Sequence, residues 1–150
     1  METTEYVILL VEDNSSDEEL TLRALRKSNV ANRVVVARDG AEALDYLFFR
    51  GSHAGRDPKE VPQVVLLDLN LPKIGGLEVL RHIRADSRTK LLPVVILTSS
   101  KEDKDLQGGY ASGANSYVVK PVDFTQFAES VRQLGIYWLV VNQLPPPAVH

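Results

Sequence analysis

Glu12 and Asp13 close the apolar run VILLV, Asp68 lies at the end of VVLLD, Thr98 ends VVILT, and Lys120 follows SYVV. Carboxylates, a hydroxyl and an ammonium are the groups that handle hard cations and phosphate. Magnesium takes carboxylate oxygens in octahedral geometry and usually keeps several waters. Held in that way it can bridge to a phosphoryl oxygen and neutralise its charge. Glu12, Asp13 and Asp68 sharing a semi-enclosed cleft require either a raised pKa or a bound cation. Asp68 has the position of a nucleophile, and a carboxylate attacking phosphorus forms an aspartyl-phosphate. Lys120 supplies a compact positive charge for the phosphoryl group, and Thr98 a hydroxyl donor for one of its oxygens. Asn70 is close enough to Asp68 to give its backbone carbonyl to the metal. These pieces compose one reaction, in-line phosphoryl transfer onto Asp68.

For these residues to meet, the apolar runs must be strands of one parallel sheet, whose carboxyl ends gather at a single edge. Strand-like segments at 6–11, 33–37, 64–69, 93–98 and 117–119 alternate with helical patterns, which indicates an α/β fold. Ser16 with Glu19 and Asp39 with Glu42 read as capping boxes opening the first two helices. A third helix runs over 77–85, a fourth over 102–111, and a fifth starts near Asp123 with an apolar stripe through Phe124, Phe127, Val131, Leu134 and Trp138. Segment 51–63 reads as a polar, mobile loop. Pro145, Pro146 and Pro147 end the last helix. Right-handed crossovers suit a doubly wound, flavodoxin-like sheet of order 2-1-3-4-5, with Asp13 and Asp68 lining the switch-point crevice.

The chain has 150 residues, enough for one domain burying roughly two-thirds of its unfolded surface. We expect a single domain over 1–150, with a core of about 5–135 and an extended helix and proline-rich tail beyond. A net charge of -3 argues against broad binding to nucleic acid or anionic membrane. With no cysteine, thiolate catalysis, disulfides and Cys-based zinc sites are excluded. No apolar stretch reaches about 18 residues and no signal peptide is evident, so a cytoplasmic location is expected.

In sequence order, Leu10-Val-Glu12-Asp13-Asn14, Val65-Leu-Leu-Asp68-Leu-Asn70-Leu-Pro72, Ile96-Leu-Thr98 and Tyr117-Val-Val-Lys120-Pro121 resemble the receiver domain of two-component response regulators. The resemblance covers nearly the whole chain. It implies that Asp68 accepts a phosphoryl group from a phosphohistidine on a sensor histidine kinase, with Mg2+, and loses it slowly by hydrolysis. It also implies a switch in which Thr98 turns toward the phosphoryl group and the Tyr117 ring follows, and a cis Lys120-Pro121 bond. The chain has little room for an output domain. Its aromatic end (Tyr137, Trp138) and long loop before the third strand resemble the stand-alone regulators of bacterial and cyanobacterial phytochromes. A homodimer through the fourth and fifth helices is expected.

Competing readings differ in specific residues. An aspartate-nucleophile phosphatase normally carries an acid two residues after the nucleophile, where this chain has Asn70. A flavin or dinucleotide carrier needs a glycine-rich loop after the first strand, and here Glu-Asp-Asn-Ser-Ser stands there. His53, His82 and His150 share no ligand spacing. Arg81, Arg84, Arg88 and Lys90 read as a solvated face.

Overall fold

The computed structural model describes residues 7–27, 33–98 and 113–120, together with Thr125. Five parallel strands form one sheet in the order β2-β1-β3-β4-β5. They are β1 (Val7–Val11), β2 (Arg33–Ala37), β3 (Val64–Asp68), β4 (Val94–Thr98) and β5 (Ser116–Val119). Among the described residues three α-helices lie between the first four strands: α1 (Ser15–Lys27), α2 (Gly40–Leu47) and α3 (Gly76–Ala85). The expected strand order and alternation are therefore found. The expected helices over 102–111 and from Asp123, the Lys120-Pro121 bond, Trp138 and the proline tail lie outside the described residues.

Burial follows from position in the sheet. β1, β3 and β4 are central and every residue in them is buried, which is why they read as unbroken apolar runs. The edge strands β2 and β5 are partly exposed. Alternate residues of each strand feed two cores. Ile8, Leu10, Leu66 and Leu97 pack with Leu25 of α1 on one face. Leu9, Val11, Leu67 and Ile96 pack with Leu44 of α2 and Leu80 of α3 on the other.

Three expectations need correction. The first helix is capped by Asn14, whose Oδ1 accepts the Asp17 N–H at 2.9 Å, so the cap of α1 lies two residues before the expected Ser16. An Asn carbonyl serves this role as well as a Ser hydroxyl does. At α2 the expected cap holds, with Asp39 Oδ1 accepting the Glu42 N–H at 2.7 Å. Second, the exposed loop 51–63 is anchored. The Arg56 guanidinium lies 3.6 Å over the Tyr46 ring and 4.4 Å from the Phe49 ring, and it also donates to the carbonyls of Tyr46 and Glu60. Third, Arg84 is no solvated surface charge. It donates to the carbonyls of Gly113 (2.8 Å), Leu92 (2.7 Å) and Lys90 (3.2 Å) and to Asn115 Oδ1 (2.8 Å), joining α3 to the starts of β4 and β5.

Candidate functional site

Register delivers the site. Val11 pairs with Leu67, so the residues that follow, Glu12 and Asp68, are brought abreast at the carboxyl ends of β1 and β3. Asp68 pairs with Leu97 and Thr98 with Val119, which sets Thr98 and Lys120 along the same edge. Each chain exit is tied to its neighbour: the Glu12 N–H donates to Ala37 O (2.9 Å), Leu69 N–H to Leu97 O (3.2 Å) and Lys120 N–H to Thr98 O (2.7 Å). The loop after β3 closes tightly over the strand end. A methyl group at Gly76 would stand 2.4 Å from the Asp68 carbonyl oxygen, so only glycine permits that approach.

Glu12, Asp13 and Asp68 converge, with ligand oxygens all within 4.8 Å of one another. Their environments differ. Glu12 and Asp68 are buried, whereas Asp13 is exposed and forms the open side of the group. Asp68 Oδ1 accepts the Asn70 N–H at 3.0 Å, and Asp68 Oδ2 meets Lys120 Nζ at 3.1 Å. Glu12 Oε2 accepts the Asn14 N–H at 3.3 Å. Glu12 Oε1 stands 2.9 Å from Lys120 Nζ but has no aligned hydrogen bond.

Electrostatics follow from this crowding. Burial, then the neighbouring Asp68 carboxylate, pushes the Glu12 carboxyl up to about 7 from an ordinary 4.5, against the pull of Lys120. Burial alone would lower the Lys120 pKa, but contacts with Glu12, Asp17 and Asp68 outweigh it and the ammonium is held above its usual range. Three carboxylates with converging oxygens, one of them carrying a buried oxygen without an aligned donor, fit a hard divalent cation of the magnesium class. Oxygen donors alone, with no thiolate or imidazole among them, disfavour softer metals.

The structure thus brings together Glu12, Asp13, Asp68 and Lys120, with Asn70 contributing its N–H. Thr98 is buried at the end of β4. Tyr117 pairs with Ile96 on the edge strand β5 and is 37% exposed. One residue escaped the sequence reading. Asp17 Oδ2 lies 3.0 Å from Lys120 Nζ, so the ammonium is shared by three carboxylates. Its place in the first turn of a helix that starts at this edge was the available signal.

Fold and site define an acidic, lysine-bearing crevice at the switch point of a doubly wound sheet. Residues 8–132 match the family model described as the response regulator receiver domain, and the chain belongs to that family. The bacteriophytochrome response regulator AtBRR superposes with a TM-score of 0.84 at 52% identity, covering 94% of this chain and all of that one (100%). The phosphorylated cyanobacterial phytochrome response regulator RcpA gives 0.75 at 38% identity over 95% of this chain and 100% of its own. Rcp1 of Synechocystis sp. is 35% identical over 93% of this chain and 92% of its own length. Its Mn(2+)-bound form has a TM-score of 0.73, covering 94% of this chain and 99% of that one. The probable methanogenesis regulatory protein FilR2 of Methanothrix harundinacea is 42% identical over 95% of this chain and 90% of its own length. Among the described residues no helix is long and apolar enough to cross a membrane.

Proposed function

We propose that this protein is a phosphoryl-accepting switch in which Asp68 takes a phosphoryl group from a phosphohistidine of a sensor histidine kinase. One observation supports the reading above others: the buried Asp68 carboxylate is set between a lysine ammonium at 3.1 Å and the acids Glu12 and Asp13. An Asp68 oxygen attacks phosphorus as the P–N bond to the donor imidazole breaks, and the electron pair stays with the imidazole. Lys120 follows the charge that moves from the carboxylate to the phosphoryl oxygens, and the buried Thr98 supplies a hydroxyl donor for one of them. Glu12, Asp13, Asp68 and the Asn70 carbonyl would hold Mg2+, which when bound supplies charge neutralisation for the transferred group.

The whole of 1–150 acts in this account as one receiver unit with a core of about 5–135. It signals in the cytoplasm through protein contacts rather than nucleic acid or membrane. Thr98 and Tyr117 form the switch, and a homodimer through the fourth and fifth helices is the output state. Similarity to phytochrome regulators, AtBRR above all at 52% identity, favours a phytochrome-type kinase as the donor. Autodephosphorylation is slow, and the protein is a substrate of signalling rather than an enzyme with turnover.

The test is transfer from a purified, prephosphorylated phytochrome-type kinase. Rapid loss of label from the kinase and its appearance on this chain are expected. Label that stays on every kinase tried contradicts the assignment of partner.

A further inference from the structure

Asp17 stands in the first turn of α1, where an acid would ordinarily serve the helix alone. In a capping box the acid at the third helical position turns back to the N–H of the capping residue. Here that N–H, of Asn14, is taken by Glu12 Oε2 at 3.3 Å. The Asp17 carboxylate reaches instead across 103 residues of sequence to Lys120 Nζ, at 3.0 Å. Its side chain is 36% exposed, whereas that of Lys120 is only 11% exposed.

An ammonium has three N–H donors, and three carboxylates surround this one: Glu12 at 2.9 Å, Asp17 at 3.0 Å and Asp68 at 3.1 Å. Two of those acceptors belong to the group whose oxygens converge as a cation site; Asp17 does not. A divalent cation entering between Glu12, Asp13 and Asp68 therefore competes with Lys120 for oxygens of Glu12 and Asp68. Two positive centres so close also repel. Of the three acceptors, Asp17 is the one the incoming cation leaves free.

We infer that Asp17 is a positioning residue that retains the Lys120 ammonium at the rim of the site when a divalent cation takes over Glu12 and Asp68. This rests on reading Glu12, Asp13 and Asp68 as a cation site. The lysine is then kept within reach of the phosphoryl group without blocking the metal.

The test is calorimetric titration of Mg2+ into the full-length wild type, Asp17→Asn, Lys120→Met and the double variant. Asp17→Asn is expected to weaken Mg2+ binding about threefold to fivefold, the scale of a half-exposed ion pair. In the Lys120→Met background the same change is expected to have no effect, because there is no ammonium left to hold. Asp17→Glu should restore most of the wild-type affinity. In the wild type, the Lys120 ammonium resonance followed by NMR should shift on adding Mg2+ while its pairing to Asp17 persists. Equal weakening with and without Lys120 would mean that Asp17 acts by its charge alone, and unchanged affinity in Asp17→Asn would equally overturn the inference. Failure of the wild type itself to bind Mg2+ would instead bring down the cation-site reading, and this inference with it.

Discussion

Lys120 and Arg84 are both partly buried cations with several oxygen acceptors, yet they sit at opposite ends of the sheet and do opposite work. Arg84, at the amino edge, donates to three backbone carbonyls and one amide oxygen. None of these acceptors carries a charge, and none belongs to the converging carboxylates of the cation site. Lys120, at the carboxyl edge, faces three carboxylates, of which Glu12 and Asp68 can exchange the ammonium for another cation and Asp68 can become phosphorylated. A planar guanidinium fixed on neutral acceptors makes a bolt, whereas a point charge shared among acids makes a movable part.

Removing each cation in turn should separate the two roles. Arg84→Ala is expected to have the larger effect on stability, about 3 kcal/mol, since it strands several acceptors at once. Chemical denaturation should give the same loss with and without Mg2+. Lys120→Ala should cost about 2 kcal/mol in metal-free buffer, because buried Glu12 and Asp68 lose their counter-charge. Mg2+ at millimolar concentration should recover most of that loss. If Arg84→Ala recovers as well, or Lys120→Ala does not, the contrast between bolt and movable part fails.

A smaller effect concerns pH. The folded-state pKa of Glu12 is raised from 4.5 to about 7, so between those values the folded chain holds a proton that the unfolded chain has released. This contribution favours the metal-free fold at low pH and is lost as pH rises through about 7. Mg2+ binding has the reverse trend, because the cation must displace that proton. Affinity is expected to increase about tenfold between pH 6 and pH 8, as one competing proton with such a pKa requires. A pH-independent affinity would show that Glu12 is ionised throughout.

Much of the site was legible because three central strands are buried on both faces. Each therefore reads as an uninterrupted apolar run whose end is marked by the first polar residue, as at Val11-Glu12 and Leu67-Asp68. The alternation with helices was legible, and the strand order was inferred from it by way of right-handed, doubly wound crossovers. What remained hidden depends on long-range geometry. Glu12 and Asp13 look equivalent as neighbours, but the chain turns after β1 and leaves one buried and the other exposed. Arg84 shares helical spacing with the exposed Arg81 and Arg88, and only the approach of Gly113 and Asn115 distinguishes it. Asp17 went unread because its partner lies 103 residues away.

The central claim is that Asp68 is the phosphoryl acceptor and that divalent cation is needed for the transfer. Labelling with acetyl phosphate tests it most directly, comparing wild type, with and without Mg2+, against Asp68→Asn. Stoichiometric, Mg2+-dependent label on the wild type and none on Asp68→Asn is the predicted result. Equal labelling of the two proteins would contradict it.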